Sequence, residues 1–127
     1  MGSKAQVSAE FLIFVGMAFL IAIAFEAASL SQLKDFRDRK EAEAVRDMAL
    51  KIQKELIIAA NVENGYSRTF DLPDRLELIN YSITTQNLTV TVESKNGFFI
   101  VHIPNSVGNV TKGTNHISKT GGIVHVN

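Results

Sequence analysis

The chain has 127 residues, with 13 basic and 13 acidic side chains and no cysteine. Balanced charge offers no basic field for a nucleic-acid partner, and the absence of thiols excludes disulfides, thiolate metal sites and cysteine nucleophiles. This is one domain's worth of chain, too little for a large enzyme core beside the N-terminal segment.

Met1 to Ala5 make a short polar leader with one positive charge, Lys4, ahead of Gln6-Val7-Ser8-Ala9-Glu10. Residues Phe11 to Phe25 then pass without a charge. A secretory signal places its small-residue cleavage site after the apolar block, so that the block is lost. Here the small residue Ala5 precedes the block, and a cut there keeps it. A helix needs about 20 apolar residues to cross the hydrocarbon core. Extension to Leu30 supplies that length and places Glu26 near the far boundary, where a carboxylate reaches headgroups or water. A helix apolar all round must be covered on every side. Phe11, Phe14, Phe19 and Phe25 carry the bulk, while Gly16, Ala18, Ala22 and Ala24 permit close approach of another helix.

Between Gln6 and Val62 the one helix breaker is Gly16, and Asn61-Val62-Glu63-Asn64-Gly65 reads as a helix end with a Gly cap. Helical throughout, residues 6 to 62 would run roughly 85 Å at about 1.5 Å per residue. Leu30, Leu33 and Phe36, then Val45, Met48, Ile52, Leu56 and Ala59, recur at three- and four-residue steps and mark one face. The other faces are charged, with pairs such as Asp47 and Lys51 four apart, acid first. The chain carries no Pro-, Ser- or Gly-rich stalk between helix and head.

After Gly65 the period switches from 3.6 to 2. Strands are expected at Tyr66 to Leu72, Leu76 to Ile83, Leu88 to Glu93 and Phe98 to Ile103, with shorter ones near His116 and at Ile123 to Val126. Asn96-Gly97 suggests a type I′ hairpin with φ > 0 at both positions. That turn sets Val92 opposite Val101 and Val90 opposite Ile103, with Phe99 on the same face. A sheet this small is marginal alone and needs the helix stripe from Val45 to Ala59.

Asn80-Tyr81-Ser82, Asn87-Leu88-Thr89 and Asn109-Val110-Thr111 match the N-glycosylation acceptor pattern. His102, His116 and His125 share no metal-ligand spacing, and ordinary hydrogen-bonding positions in strands are expected for them. No nucleophile motif or phosphate-cradling glycine loop is present, so no catalytic residue, metal or cofactor is expected.

The order of leader, small residue and Gln6-Val7-Ser8-Ala9-Glu10-Phe11 resembles the class III signal of archaeal type IV pilins of the adhesion type, whose mature chains often begin with glutamine. The resemblance is distinctive in residues 4 to 12 and covers leader and helix as architecture. It implies an α+β fold: one long N-terminal helix, apolar then amphipathic, followed by a small antiparallel β-sheet domain. The expected organisation is a leader at 1–5, a membrane or filament-core helix at 6–30, an amphipathic helix at 31–64 and a β head at 65–127. It also implies cleavage between Ala5 and Gln6 by a prepilin peptidase. Gln6 and Glu10 would then set register, with the glutamate paired to a neighbour's N-terminal amine. Phe11, Phe14, Gly16, Phe19 and Phe25 would form the filament core, and Asn80, Asn87 and Asn109 would be candidate glycosylation sites. The implied partners are further copies of the chain, an assembly ATPase, a membrane platform protein and, before assembly, the cytoplasmic membrane. The implied end point is an extracellular filament. An archaellum subunit, a minor pilin and a membrane-anchored extracellular binding module are the alternatives.

Overall fold

The computed structural model describes residues 2–77 and 79–127, with side chains from Val7 onward. Helix α1 (Gly2–Asn61) is followed by strands β1 (Ser67–Leu72), β2 (Tyr81–Gln86), β3 (Thr89–Ser94), β4 (Gly97–His102), β5 (Ser106–Gly108), β6 (Gly113–Thr120) and β7 (Ile123–Val126). This is the expected α+β layout of one long helix and then a small β domain. The chain divides into two compact units, Met1–Arg37 and Asp38–Asn127.

The second unit joins the last turns of α1 to two sheets. One has the order β1-β6-β7-β5 and the other is the meander β2-β3-β4. Neighbouring strands are antiparallel except β5 and β7, which run parallel. That exception depends on Gly108, at φ 104, where a Cβ would lie 1.9 Å from the Val126 carbonyl oxygen. No other residue type fits so close a backbone approach.

The core forms where the helix stripe meets both sheets. Val45, Met48, Ala49, Ile52, Leu56 and Ala59 are buried at steps of one, three and four residues. They share a cluster with Phe70 and Leu72 of β1, Val90 and Val92 of β3, Val101 of β4, Ile117 of β6, and Val124 and Val126 of β7. Full burial of one such aliphatic side chain stabilises by about 1.5–3 kcal/mol. Of the expected helix positions, the five from Val45 to Ala59 are in this core. Leu30, Leu33 and Phe36, in the first unit, are exposed.

Polar ties hold this part of α1 to the sheets. Lys119 of β6 donates through Nζ to the carbonyls of Ala60 (2.6 Å) and Val62 (2.8 Å). It thereby satisfies carbonyls that a helix C-terminus leaves without an internal partner. Gly65, at φ 94, follows the helix end as expected, and its N–H donates to Lys119 O (2.9 Å). Lys51 Nζ donates to Asp71 O (3.0 Å) instead of pairing with Asp47, and Gln53 Nε2 donates to His102 O (2.6 Å). Among the described residues the ion pairs are Lys40–Glu77 and Glu55–Arg68, each at 3.3 Å.

Two expectations need correction. The segment expected as a strand from Leu76 to Ile83 is interrupted: Leu76 and Ile79 exchange backbone hydrogen bonds (3.0 and 2.8 Å) around Glu77 at φ 56. That local closure uses up both groups, and β2 starts only at Tyr81; Leu78 lies outside the described residues. Tyr81 is buried, and its hydroxyl donates to Pro73 O. Burial, then the Asp74 carboxylate, raises the Tyr81 pKa.

The second correction concerns the β3–β4 hairpin. Its two-residue turn is Lys95-Asn96, neither at positive φ, and the register pairs Val92 with Phe99 and Val90 with Val101. Moving a turn by one residue shifts every partner by two, so the same side chains stay on the inner face. The cause is tertiary: Asn96 Nδ2 donates to Glu41 Oε2 of α1 (2.7 Å). A turn with both residues at positive φ forms instead at Asn87-Leu88 (φ 47 and 62), where Thr89 Oγ1 donates to Gln86 O (2.6 Å).

Two predictions follow from the packing. Ile52 and Leu56 are fully buried. Truncation of either to Ala should therefore cost ~2–5 kcal/mol, read as a lowered urea midpoint of the full chain in detergent; an unchanged midpoint refutes the shared core.

Glu41, 9% exposed, accepts from Asn96, while its Oε1 has no fixed partner. The Ser94 hydroxyl, which donates to Gly97 O (3.2 Å), is able to turn to it. Hydrogen bonding from Ser94 lowers the Glu41 pKa below 4.5 against the burial that raises it, helped by Asn96 and by the charge of Lys95. A carboxyl group with a depressed native pKa adds stability above its ordinary value and loses it as pH falls through the native one. Stability should therefore drop below pH 4.5, and Glu41→Gln should flatten that acid limb in urea titrations across pH.

Candidate functional site

The first unit, Met1–Arg37, is helical through its described residues, and from Val7 onward its side chains are almost entirely open. From Val7 to Phe25 every residue is exposed except the half-buried Val15. Phe14 is 70% and Phe25 74% exposed, and Phe11 and Phe19 are also open. A Cβ at Gly16 would meet nothing within 4 Å. A soluble monomer seldom presents so large a continuous apolar surface, and such a surface marks a membrane or protein contact.

Local chemistry suits an apolar environment. Ser29 Oγ donates to Phe25 O and Ser31 Oγ to Ala28 O, both at 2.8 Å, so the two hydroxyls are satisfied within the helix. Glu10 is exposed near the start of the apolar run. A carboxylate there would need a cationic partner once covered. α1 is long and apolar enough to cross a membrane, and none of that apolar stretch is buried within the structure. The side chains of Ala5 and Gln6, the expected cleavage pair, lie outside the described residues.

In the second unit the three asparagines of the acceptor pattern are all exposed. Asn80 precedes β2, Asn87 sits in the β2–β3 turn and Asn109 follows β5. No local pattern singles out Asn115, which is wholly buried in β6. Its Nδ2 donates to Thr111 O (2.7 Å) and Gly113 O (3.0 Å), and its Oδ1 accepts from Thr111 N (2.8 Å) and Asn127 Nδ2 (3.1 Å). With donors and acceptor both used, it fixes the loop before β6 and the C-terminus.

The three histidines are not gathered into one site, although His116 of β6 and His125 of β7 lie on neighbouring strands. His102 Nδ1 lies 3.3 Å from Leu88 O, and His116 Nε2 lies 3.3 Å from Ser67 Oγ. Among the described residues no group of three or more His, Asp or Glu is placed to hold a metal ion. A shallow cleft of about 300 Å³ lies between α1 and the β3–β4 hairpin, lined by Ala42, Val45, Arg46 and Phe98 among others. Arg46 stands 6.0 Å above the Phe99 ring there, a cation–π arrangement.

The exposed apolar helix is thus the feature of the described chain that most demands a partner. Neither protein-family models, curated proteins nor solved structures yield a match to this chain.

Proposed function

We propose that this protein is the structural subunit of an archaeal type IV adhesion-like pilus. It is inserted in the cytoplasmic membrane through its N-terminal helix and then assembled with further copies into a cell-surface filament. The observation that carries this reading is the unpartnered apolar surface of α1, open on all sides from Val7 to Phe25. Supporting it is the N-terminal order of Lys4, Ala5, Gln6 and Glu10 ahead of the uncharged run. A prepilin peptidase would cut between Ala5 and Gln6, and Glu10 would neutralise a neighbour's new terminal amine. Phe11, Phe14, Gly16, Phe19 and Phe25 would pack in a dry filament core. Contacts that repeat head to tail without closing give an open fibre. An assembly ATPase and a membrane platform protein would drive that step, and glycans would attach at Asn80, Asn87 or Asn109.

The same open surface favours one second reading, a membrane-anchored extracellular module, because lipid covers an all-apolar helix as well as protein does. The two readings separate on assembly. Electron microscopy of expressing cells should show filaments, and mass spectrometry of the sheared fraction should find chains beginning at Gln6. Phe14→Asp or Phe19→Asp would put an unpaired carboxylate in the core at a cost of several kcal/mol per subunit. Filaments should then be lost relative to the amount of subunit in the membrane. Normal filaments from either variant refute the buried core, and an unmutated protein that stays in membranes without filaments supports the anchored module.

A further inference from the structure

The chain contains two Asn-Gly steps, Asn64-Gly65 and Asn96-Gly97. At such a step the glycine nitrogen reaches the preceding side-chain amide readily, because no Cβ hinders its approach. We propose that Asn96 is a self-modifying site. The Gly97 backbone nitrogen attacks the Asn96 amide, water completes conversion to aspartate or isoaspartate, and the new carboxylate releases the β3–β4 hairpin from α1.

The step balances with water as its one co-reactant. The Gly97 nitrogen bonds to Asn96 Cγ, the Cγ–Nδ2 bond breaks, and Nδ2 leaves as ammonia with the proton from the Gly97 N–H. Water then opens the cyclic imide at either carbonyl. The α-carboxyl side gives isoaspartate, and the side-chain carbonyl gives aspartate.

The structure treats the two steps differently. Asn64 Oδ1 accepts from Gly122 N (2.8 Å), and the Gly65 nitrogen donates to Lys119 O (2.9 Å). Reaction there requires opening the junction at which Lys119 also caps α1. Asn96 and Asn64 are both exposed. Asn96 stands at the tip of a two-residue turn closed by the Ser94–Gly97 pair, and its Oδ1 accepts no hydrogen bond among the described residues. The tie on its side chain is the donation from Nδ2 to Glu41 Oε2 (2.7 Å). Fraying a hairpin tip is among the least costly local openings, whereas reaction at Asn64 has to break its ties to Gly122 and to the Lys119 carbonyl of β6 together.

The same tie makes the chemistry consequential. Either product replaces a donor facing Glu41 with a second carboxylate, and two carboxylates sharing a site repel. Isoaspartate also adds a backbone carbon inside the turn and spoils the Ser94–Gly97 closure. This inference does not depend on the proposed filament.

The test ages the full chain in detergent at mildly alkaline pH and maps Asn96 and Asn64 by mass spectrometry that resolves aspartate from isoaspartate. A parallel sample in urea gives the rates of the open chain. Both sites should convert at similar rates in urea, and in the folded chain Asn96 should convert several-fold faster than Asn64. Gly97→Ala is sterically tolerated, since a Cβ there meets nothing within 4 Å. It should slow conversion at Asn96 several-fold and leave Asn64 unaffected. Aged protein should lose the part of its acid dependence that Glu41 supplies. Equal rates at the two sites in the folded chain, faster reaction at Asn64, or an intact Asn96 after the urea sample has converted would overturn the assignment. Full conversion with no loss of urea stability would overturn the release of the hairpin.

Discussion

Two small sheets and one helix face share a core, and the helix face is the part neither sheet can do without. A three-stranded meander and a four-stranded sheet each have one apolar face, and each is too small to hold its shape in water alone. The stripe from Val45 to Ala59 gives both faces a common surface to cover. Because the stripe recurs at helical spacing, its burial also fixes which way this part of α1 is turned. That orientation in turn carries Glu41, Lys51 and Gln53 to their partners on the hairpin and strands.

Those polar ties divide the work with the core. Apolar burial supplies most of the free energy and little direction, whereas hydrogen bonds contribute modestly and fix position. Lys119 shows this at the end of α1, where a side chain from β6 satisfies carbonyls that the helix's own last turn, lacking a basic residue, leaves open. Glu41 shows it nearer the hairpin tip, where one carboxylate selects the turn and thereby the strand register. Asn115 does the same for the loop before β6 and the C-terminal residue.

The helical segment from Val7 to Arg37 follows the opposite logic. Between Phe11 and Phe25 it carries no charged side chain, and just beyond, the hydroxyls of Ser29 and Ser31 close on the helix, yet its apolar side chains have nothing to cover them. A segment with satisfied polar groups and unsatisfied apolar ones suits lipid and suits a bundle of like helices equally well. Nothing in its chemistry requires a choice between the two, which is why we propose that it occupies them in turn.

The amino-acid sequence by itself determined the architecture, because each of its signals is local. The uncharged run from Phe11 to Phe25, the stripe from Val45 to Ala59, the glycine after the helix end and the alternation in β1, β3 and β4 all depend on near neighbours. The apolar helix, which is the candidate site, was legible for the same reason. Only the tertiary structure decided the hairpin register, the break between Leu76 and Ile79, the parallel pairing at Gly108, the buried Asn115 and the Lys119 cap. The register and the cap involve partners far along the chain, whereas the Leu76–Ile79 closure and the bonds of Asn115 join nearer residues in turns that no periodic pattern describes. Glu41 and Asn96 are 55 residues apart, and Lys119 and Ala60 are 59 apart. A local pattern states what a residue prefers, and the packed core decides which distant group it meets.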